Sequence, residues 1–171
     1  MFKSIEIKAS CKTPNKIRGI LLKNKADYKG TDHQIDTYFK VAKGRLKLRE
    51  GKIENALIHY ERENKNGPKQ SKITMFQTNK TSALKDTLTK STGILVIVDK
   101  LREIYYIDNV KFHIDKVKRL GSFMEIEAID KDGSIGKKKL LKQCNYYLKL
   151  FGVDKKDLIA VSYSDLLLKK P

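Results

Sequence analysis

The sequence predicts an α+β protein in which about eight short antiparallel strands are combined with a few helices. Apolar and polar residues alternate along many short segments, which is typical of strands with one buried face. Glycine, asparagine and proline turn signals separate these segments. Eight short strands in series can close into a small barrel, so a barrel is the architecture that we expect.

Strand patterns dominate the first two thirds of the chain. In residues 3–10, Ile5 and Ile7 alternate with Glu6 and Lys8. The pair Asp108-Asn109 predicts a hairpin. Further strands are predicted over residues 38–41, 45–50, 56–62, 72–77, 94–107 (as one long strand or two bent ones), 110–115 and 122–129.

Four helices are predicted between and after these strands. The first begins at Thr13-Pro14, a typical start because proline lacks the N–H that a first turn leaves unpaired; it is expected to end near residue 25. The clearest helical spacing runs over residues 134–151 and ends at Gly152. The other two are expected just before Gly93 and over residues 162–169.

The composition is that of a basic globular domain. The chain has 171 residues, with 37 Lys and Arg against 20 Asp and Glu, and its formal net charge is +17. This length predicts one domain over residues 1–171. The two cysteines exclude a disulfide framework and a cysteine-rich zinc module, and favour a reducing, cytoplasmic location. The charge predicts a polyanionic partner, without saying which one.

The charged faces of the predicted strands carry most of the functional information. Alternation places Arg45, Lys47 and Arg49 on one face, and by itself this pattern favours a sheet with one side in water. However, the chain has 31 Lys and only 6 Arg, and four of the arginines lie on these faces: Arg45, Arg49, Arg62 and Arg102. Arginine matches phosphate oxygens with a rigid fork of donors, which indicates a phosphate-bearing ligand. Nucleic acid would also fit, but no aromatic RNA-binding motif is visible.

Carboxylates accompany these cations. Glu125 and Glu127 share one strand face, and Glu6 lies on the first strand. Such groups act either as ion-pair partners or as ligands for Mg²⁺ or Mn²⁺. An isolated Glu-x-Glu is usually a solvated strand face, but a phosphate site beside it favours the metal interpretation.

In this order, the motifs resemble the CYTH superfamily, also called triphosphate tunnel metalloenzymes. The resemblance spans nearly the whole chain and includes features of the class IV adenylyl cyclase-like and thiamine triphosphatase-like branch. The matching motifs are Ser4-Ile-Glu6-Ile-Lys8, Gly44-Arg-Leu-Lys-Leu-Arg-Glu50, Tyr60-Glu-Arg62, Gly67-Pro-Lys69, Lys100-Leu-Arg102, Lys111-Phe-His-Ile-Asp115, Phe123-Met-Glu-Ile-Glu127 and Ser162-Tyr-Ser-Asp-Leu-Leu167.

The resemblance implies an eight-stranded antiparallel β-barrel whose charged interior forms a triphosphate tunnel, with helices packed outside. It implies Mg²⁺ or Mn²⁺ as cofactor, with Glu6, Asp115, Glu125 and Glu127 as ligands. Catalytic roles would fall to Glu6, Asp115 and Glu127. The phosphates would be held by Lys8, Arg45, Lys47, Arg49, Arg62, Lys69, Lys100, Arg102 and Lys111, with Arg45 near the tunnel mouth.

Two residues depart from the family pattern. Ser4 stands where the N-terminal signature has its first glutamate, and only Phe2 remains of the His-Phe pair that precedes it in studied cyclases. The expected activity is therefore metal-dependent hydrolysis of tripolyphosphate, ATP or thiamine triphosphate. The alternatives are a class IV adenylyl cyclase and a non-catalytic module that binds polyphosphate or RNA. No specific nucleic acid and no membrane partner is expected, and a homodimer is left open.

Overall fold

The computed structural model describes residues 2–79 and 82–170. Within them, the elements in chain order are β1 (Phe2–Ser10), α1 (Pro14–Lys23), β2 (Asp27–Phe39), β3 (Arg45–Glu50), β4 (Asn55–Arg62), β5 (Lys69–Gln77), α2 (Ser82–Thr92), β6 (Ile94–Ile107), β7 (Val110–Val117), β8 (Gly121–Asp130), α3 (Lys137–Phe151) and α4 (Tyr163–Leu168). The strands form one closed antiparallel barrel in the order β1-β5-β4-β3-β2-β6-β7-β8. The predicted α+β barrel with helices packed outside is confirmed.

The main apolar core lies outside the barrel wall, beneath two of the helices. Ile5 and Ile7 of β1 are 3% and 0% exposed and face outward, whereas their neighbours Glu6 and Lys8 line the interior. The outward side chains of β1, β7 and β8 pack against Leu21 of α1 and Leu140 of α3. Apolar burial therefore ties the helices to the sheet and leaves most of the interior to polar groups.

A second, smaller apolar cluster lies within one end of the barrel. Inward-facing Tyr38, Tyr60 and Phe123 pack there with Tyr163 and Leu167 of α4. The short helix is capped by a reciprocal pair of hydrogen bonds between Ser162 and Asp165. Helix α4 therefore covers this end of the barrel.

Strand β2 is the largest difference between prediction and structure. The pattern placed a strand over residues 38–41, but β2 runs from Asp27 to Phe39 and Val41 lies beyond it. Its first nine residues are mostly polar, so no apolar alternation marks them. They form a strand because β2 pairs with β6 along its whole length, with an irregularity near Gly30. This part of the strand is stabilised by its backbone hydrogen bonds to β6 and by polar contacts inside the barrel, and not by an apolar face.

The remaining boundaries shift by a few residues. Strand β5 begins at Lys69 and β7 continues to Val117, because pairing extends past the apolar stretch. Helix α3 begins at Lys137 rather than 134, and it ends at Gly152 in the left-handed conformation, as predicted. None of the helices in the described ranges is long and apolar enough to span a membrane.

Replacing Leu140 by alanine tests the core beneath α3. Leu140 is 2% exposed, so we expect the free energy of unfolding to fall by about 2 to 5 kcal/mol through lost burial and a residual cavity. Denaturant unfolding measures this loss. The matched control is Leu141→Ala, since the adjacent Leu141 is exposed. Equal losses in the two variants would contradict the assigned position of the core.

Candidate functional site

A polar cavity of about 530 Å³ occupies the barrel interior. The inward-facing side chains of all eight strands contribute to it, together with the loop between β3 and β4 and the start of α4. Among the residues that the structure describes, the charged lining consists of the cations Lys8, Lys47, Arg49, Arg62, Lys100, Arg102, Lys111 and Lys131 and the carboxylates Glu6, Asp36, Glu54, Glu125 and Glu127. The cavity therefore has an excess of positive charge.

One group of interior cations converges on Asp36 of β2. Arg49 donates to both carboxylate oxygens at 2.8 and 3.0 Å, while the Nζ atoms of Lys100 and Lys47 lie 2.6 and 2.9 Å from Oδ2. Burial alone would raise the pKa of Asp36, but these three cations hold it well below its usual range. The carboxylate is therefore ionised and fixes the directions of three donors.

Lys100 titrates unusually for a lysine. It is 1% exposed, and burial lowers its pKa to about 7, because desolvation outweighs the attraction of Asp36. Neighbouring Arg49 and Arg102 disfavour its charge further. An additional anion placed in the cavity would favour the protonated form.

A second group of interactions surrounds Arg102 of β6. Arg102 donates to Asp115 at 2.7 and 2.5 Å and to Glu125 at 2.8 Å. Lys8 also pairs with Glu125, at 3.1 Å, and the Tyr163 hydroxyl donates to Asp115 at 2.7 Å. Asp115 is 1% exposed and is not among the cavity-lining residues. Both carboxylates are thus committed to protein partners.

His113 is neutral and has one nitrogen available. Burial lowers its pKa to about 4, with the charge of Arg102 acting in the same direction. Its Nδ1 lies 3.0 Å from the Glu125 carboxylate, which can only accept, so this nitrogen carries the proton. The buried Nε2 has no hydrogen-bond partner among the described residues. It therefore presents a lone pair in the lining of the cavity.

Glu54 comes from the β3–β4 loop and was not predicted as a site residue. It accepts hydrogen bonds from Arg49 at 2.8 Å, from Gln34 at 3.0 Å and from Lys111. Burial would raise its pKa, but Arg49 and Lys111 lower it strongly. The loop itself gave no motif from which this role could be read.

The β3–β4 loop is held in place by Asp32 of β2. This fully buried carboxylate accepts the backbone N–H groups of Lys52, Ile53 and Glu54 at 2.6, 3.1 and 3.0 Å. Residue 51 must be glycine, because a Cβ there would overlap the Asp32 carboxylate. Asp32 therefore positions Glu54 through the backbone.

The polar atoms around Glu6 are less completely paired than the rest of the interior. Glu6 accepts from Arg62 and lies directly opposite Glu127 in the β1–β8 register. Buried atoms without a partner among the described residues include Nε and Nη2 of Arg62 and the hydroxyls of Ser4 and Ser71. Buried polar atoms are normally hydrogen-bonded, so this corner has the donors for a further anionic group.

Glu127 is the carboxylate with the fewest partners in this corner. Within residues 2–79 and 82–170 its side chain has no hydrogen bond or ion pair, although Lys111 lies opposite it on β7. Burial raises its pKa, the charges of Glu6 and Glu125 raise it further, and Lys111 opposes them. Two half-buried glutamates side by side repel each other, and a cation between them would relieve this cost.

The predicted set of four metal ligands is not brought together. No group of three or more His, Cys, Asp or Glu side chains in the described ranges is arranged to hold a metal ion. Asp115 and Glu125 are engaged by Arg102, which leaves the neighbouring pair Glu6 and Glu127. One or two carboxylates completed by substrate phosphates is a typical Mg²⁺ arrangement, and these two residues fit it.

Two of the predicted phosphate-binding residues lie away from the cavity. Arg45 pairs with Asp165 at 2.8 Å and lines a separate cleft. Lys69 is completely buried, and its Nζ donates to the carbonyl oxygens of Ile159 and Ala160 at 2.6 and 3.2 Å. Both side chains hold the C-terminal segment against the barrel. The other predicted phosphate-binding residues all line the cavity.

Comparison with known protein families identifies a match for most of this chain. A family model for the CYTH domain matches residues 3–163. The chain belongs to the CYTH domain family. A comparison with curated protein sequences finds no match.

Solved structures show the same CYTH fold. PH1012 from Pyrococcus horikoshii OT3 is 22% identical, with a TM-score of 0.76 over 95% of this chain and 98% of that one. A candidate adenylate cyclase from Vibrio parahaemolyticus is 13% identical, with a TM-score of 0.79 over 96% and 97%. HpAC1 from Hippeastrum, a candidate adenylyl cyclase with a dominant triphosphatase activity, is 12% identical, with a TM-score of 0.62 over 98% and 94%.

Replacing Asp36 by asparagine tests the pairing of charges inside this CYTH barrel. The change leaves Arg49, Lys47 and Lys100 with less compensation, so we expect unfolding to become easier by about 3 to 5 kcal/mol. Tripolyphosphate should restore part of this loss and raise the thermal midpoint more than in the unchanged protein.

The control for this experiment is Asp99→Asn on β6, which removes a partly exposed partner of His33. We expect little change in stability and an unchanged response to tripolyphosphate. If Asp36→Asn also left both quantities unchanged, the interior cations would not depend on this carboxylate.

Proposed function

We propose that this CYTH protein is a Mg²⁺- or Mn²⁺-dependent triphosphatase that binds its substrate in the barrel cavity. The observation that carries the proposal is the corner around Glu6, where buried donors of Arg62 and the carboxylate of Glu127 have no partner among the described residues. Elsewhere in the described ranges, apart from Lys131, the charged side chains that line the cavity are paired. A phosphate group with its divalent ion supplies both missing charges.

The binding of the phosphate chain is assigned to cations on five of the strands, which surround the cavity. These residues are Lys8, Lys47, Arg49, Arg62, Lys100, Arg102 and Lys111. Their carboxylate partners hold them in fixed directions before the substrate arrives. Such preorganised charges stabilise a transition state without reorganisation at the moment of reaction.

The divalent ion is assigned to Glu6 and Glu127. When bound, it would neutralise charge on the phosphate oxygens. Ser4 lies on β1, two residues before Glu6, where the family signature has a glutamate, and its buried hydroxyl has no hydrogen-bond partner among the described residues. The missing carboxylate is consistent with one ion carried largely by the substrate.

Hydrolysis needs a water molecule in line with the terminal phosphorus. The lone pair on His113 Nε2 can accept a hydrogen bond from this water, and Glu125 fixes the ring orientation. The water oxygen bonds to phosphorus, the bridging P–O bond breaks, and the water proton passes to the phosphate product or to solvent. A weak base suffices, because the transition state of phosphoryl transfer is loose.

One end of the cavity has apolar lining that suits the organic part of a triphosphate. This feature favours an adenylyl cyclase as the second candidate function. Phe2, Ile53, Met75, Tyr106 and Ile129 are among the lining residues, and Ile53 and Met75 are exposed. The volume lies within the range of about 300 to 1,000 Å³ that suits drug-sized ligands. A nucleoside held there would also allow cyclisation, in which the 3′-hydroxyl attacks the α-phosphorus and pyrophosphate leaves. The dominant triphosphatase activity of HpAC1 favours hydrolysis.

An assay panel tests the proposal. The protein is incubated with tripolyphosphate, ATP or thiamine triphosphate, each with Mg²⁺ or Mn²⁺, and phosphate release is measured. We expect metal-dependent release of phosphate, and a loss of roughly 100-fold or more in Glu127→Gln. Glu63→Gln, on the exposed β4–β5 connection, is the control and should keep full activity.

The other outcomes separate the alternatives. Cyclic AMP and pyrophosphate from ATP would establish the cyclase instead. Tight binding of triphosphate or RNA without turnover of any substrate would establish the non-catalytic module. Activity that is independent of metal, or that survives in Glu127→Gln, would refute the assignment of Glu6 and Glu127.

Proton uptake on binding offers a separate test of the phosphate site. Because the pKa of Lys100 is about 7, much of its side chain is neutral at about pH 8 and should gain a proton when tripolyphosphate binds. Calorimetry in buffers of different ionisation enthalpy should give an uptake approaching one proton at about pH 8 and almost none at about pH 6.

Lys100→Arg is the control for this titration, because a guanidinium stays charged at both pH values. We expect binding without the Lys100-linked uptake. An uptake that is unchanged in this variant would assign the proton to another group.

A further inference from the structure

Helices α1 and α3 form a continuous basic surface on the outside of the barrel. Their 25 residues include no Asp or Glu. Their cations are Lys16, Arg18, Lys23, Lys137, Lys138, Lys139, Lys142 and Lys149. We name the exposed side of the two helices the α1–α3 face.

The two helices lie against each other with their apolar sides turned to the barrel. Leu21 of α1 and Leu140, Cys144 and Phe151 of α3 belong to one buried core. The Nζ atom of Lys16 on α1 lies beside Gly152 at the end of α3, only 3.2 Å from the position that a Cβ on residue 152 would occupy. The lysines of the two helices therefore belong to one surface.

The lysines of this face are not neutralised by ion pairs. The other faces are mixed: carboxylates lie within 4 Å of Lys29, Lys43, Lys65, Lys85, Lys118 and Lys156, whereas the exposed Lys40, Lys90 and Lys116 have none this close among the described residues. In the part of the chain that the structure describes, no carboxylate lies this close to a lysine of α1 or α3, and only Arg18 is paired, with Glu103. Their charge is therefore available to an external anion.

The start of α3 carries charges of the unfavourable sign. Lys137, Lys138 and Lys139 occupy its first turn, where the helix dipole is positive and acidic residues are preferred. Gly136 at the N-cap offers no side-chain acceptor. Residues that weaken a helix without a compensating contact are expected where they serve binding. This observation is independent of the total charge of the protein.

We propose that the α1–α3 face binds the phosphate backbone of single-stranded nucleic acid without sequence preference. Lys138, Lys142 and Lys149 follow one another at helical spacing along about 16 Å of α3, at 1.5 Å per residue. Tyr146 lies on the same stripe and is 58% exposed. Lysines that follow a backbone beside an aromatic ring that can stack on a base are typical of single-strand binding.

The apolar sides of the helices argue against a lipid surface. A helix that lies in a membrane interface inserts its apolar side between the lipids. In this protein those sides are packed against β1, β7 and β8, which leaves Leu22 and Leu141 as the exposed aliphatic side chains of the two helices. Nucleic acid needs only the lysines and the tyrosine.

Fluorescence anisotropy with a labelled single-stranded RNA of about 16 nucleotides tests the proposal at about 50 to 200 mM salt. The test variant is Lys138→Gln/Lys142→Gln/Lys149→Gln. The control is Lys40→Gln/Lys90→Gln/Lys116→Gln, which removes the same charge from exposed lysines of other faces. We expect the test variant to bind at least about tenfold more weakly and to lower the slope of log K against log salt by about 2, at roughly 0.7 for each lost phosphate contact.

Two single variants sharpen the test. Tyr146→Ala should weaken binding about tenfold through lost stacking, with a nearly unchanged salt slope. Lys138→Glu should bind RNA more weakly while its thermal midpoint stays the same or rises, because an acid suits the first helical turn. Tripolyphosphate binding should be kept in all these variants, since none of the changed residues lines the cavity.

Three results would overturn the proposal. Equal weakening in the test and control variants would mean that net charge alone binds RNA. If the protein did not bind RNA at about 150 mM salt, the α1–α3 face would not be a nucleic-acid-binding surface. Tighter binding to vesicles of anionic lipid than to RNA, with the same sensitivity to the lysine changes, would assign it to membranes.

Discussion

Charge that is buried without water must be matched by opposite charge, and this requirement shapes the barrel. Lys100 and Arg102 are almost completely buried and would be destabilising alone. Asp36, Asp115 and Glu125 compensate them at hydrogen-bond distance. Because most of the interior is given to these pairs, the main apolar core lies between the wall and α1 and α3. The external helices thus follow from the polar interior.

Alternation in the sequence predicted much of this arrangement. In β3, β7 and β8, the apolar residues that mark one face also identify the opposite, charged face, and the structure places those charged side chains inside, except for Arg45. The pattern failed in β2, where polar residues have no apolar partners to mark a strand. Asp36, the carboxylate on which three cations converge, therefore escaped the sequence analysis, and so did Gln34 and Asp32. Their roles depend on pairing with β6, a contact between segments far apart in the chain.

The sequence also could not reveal which charges are already paired. Asp115 and Glu127 have similar positions in their motifs, yet Asp115 is held by Arg102 and Tyr163, while Glu127 has no partner in the described ranges. Lys69 is a cation of the same kind as its cavity-lining neighbours, but its ammonium donates hydrogen bonds to two backbone carbonyl groups and not to a ligand site. Residue type and parity place a side chain on a face, whereas the register of neighbouring strands decides what it can still bind.

The contact between Gly51 and Asp32 has a consequence for sequence change. Loops at the rim of a barrel usually tolerate substitution and insertion, because their backbone is solvated. Here three consecutive N–H groups of the β3–β4 loop are bound by one buried carboxylate, and residue 51 leaves no room for a side chain. The length of this loop is therefore as constrained as a core position. Natural variation and engineering should find their freedom in other connections, such as residues 63–67 or 131–135, and not between β3 and β4.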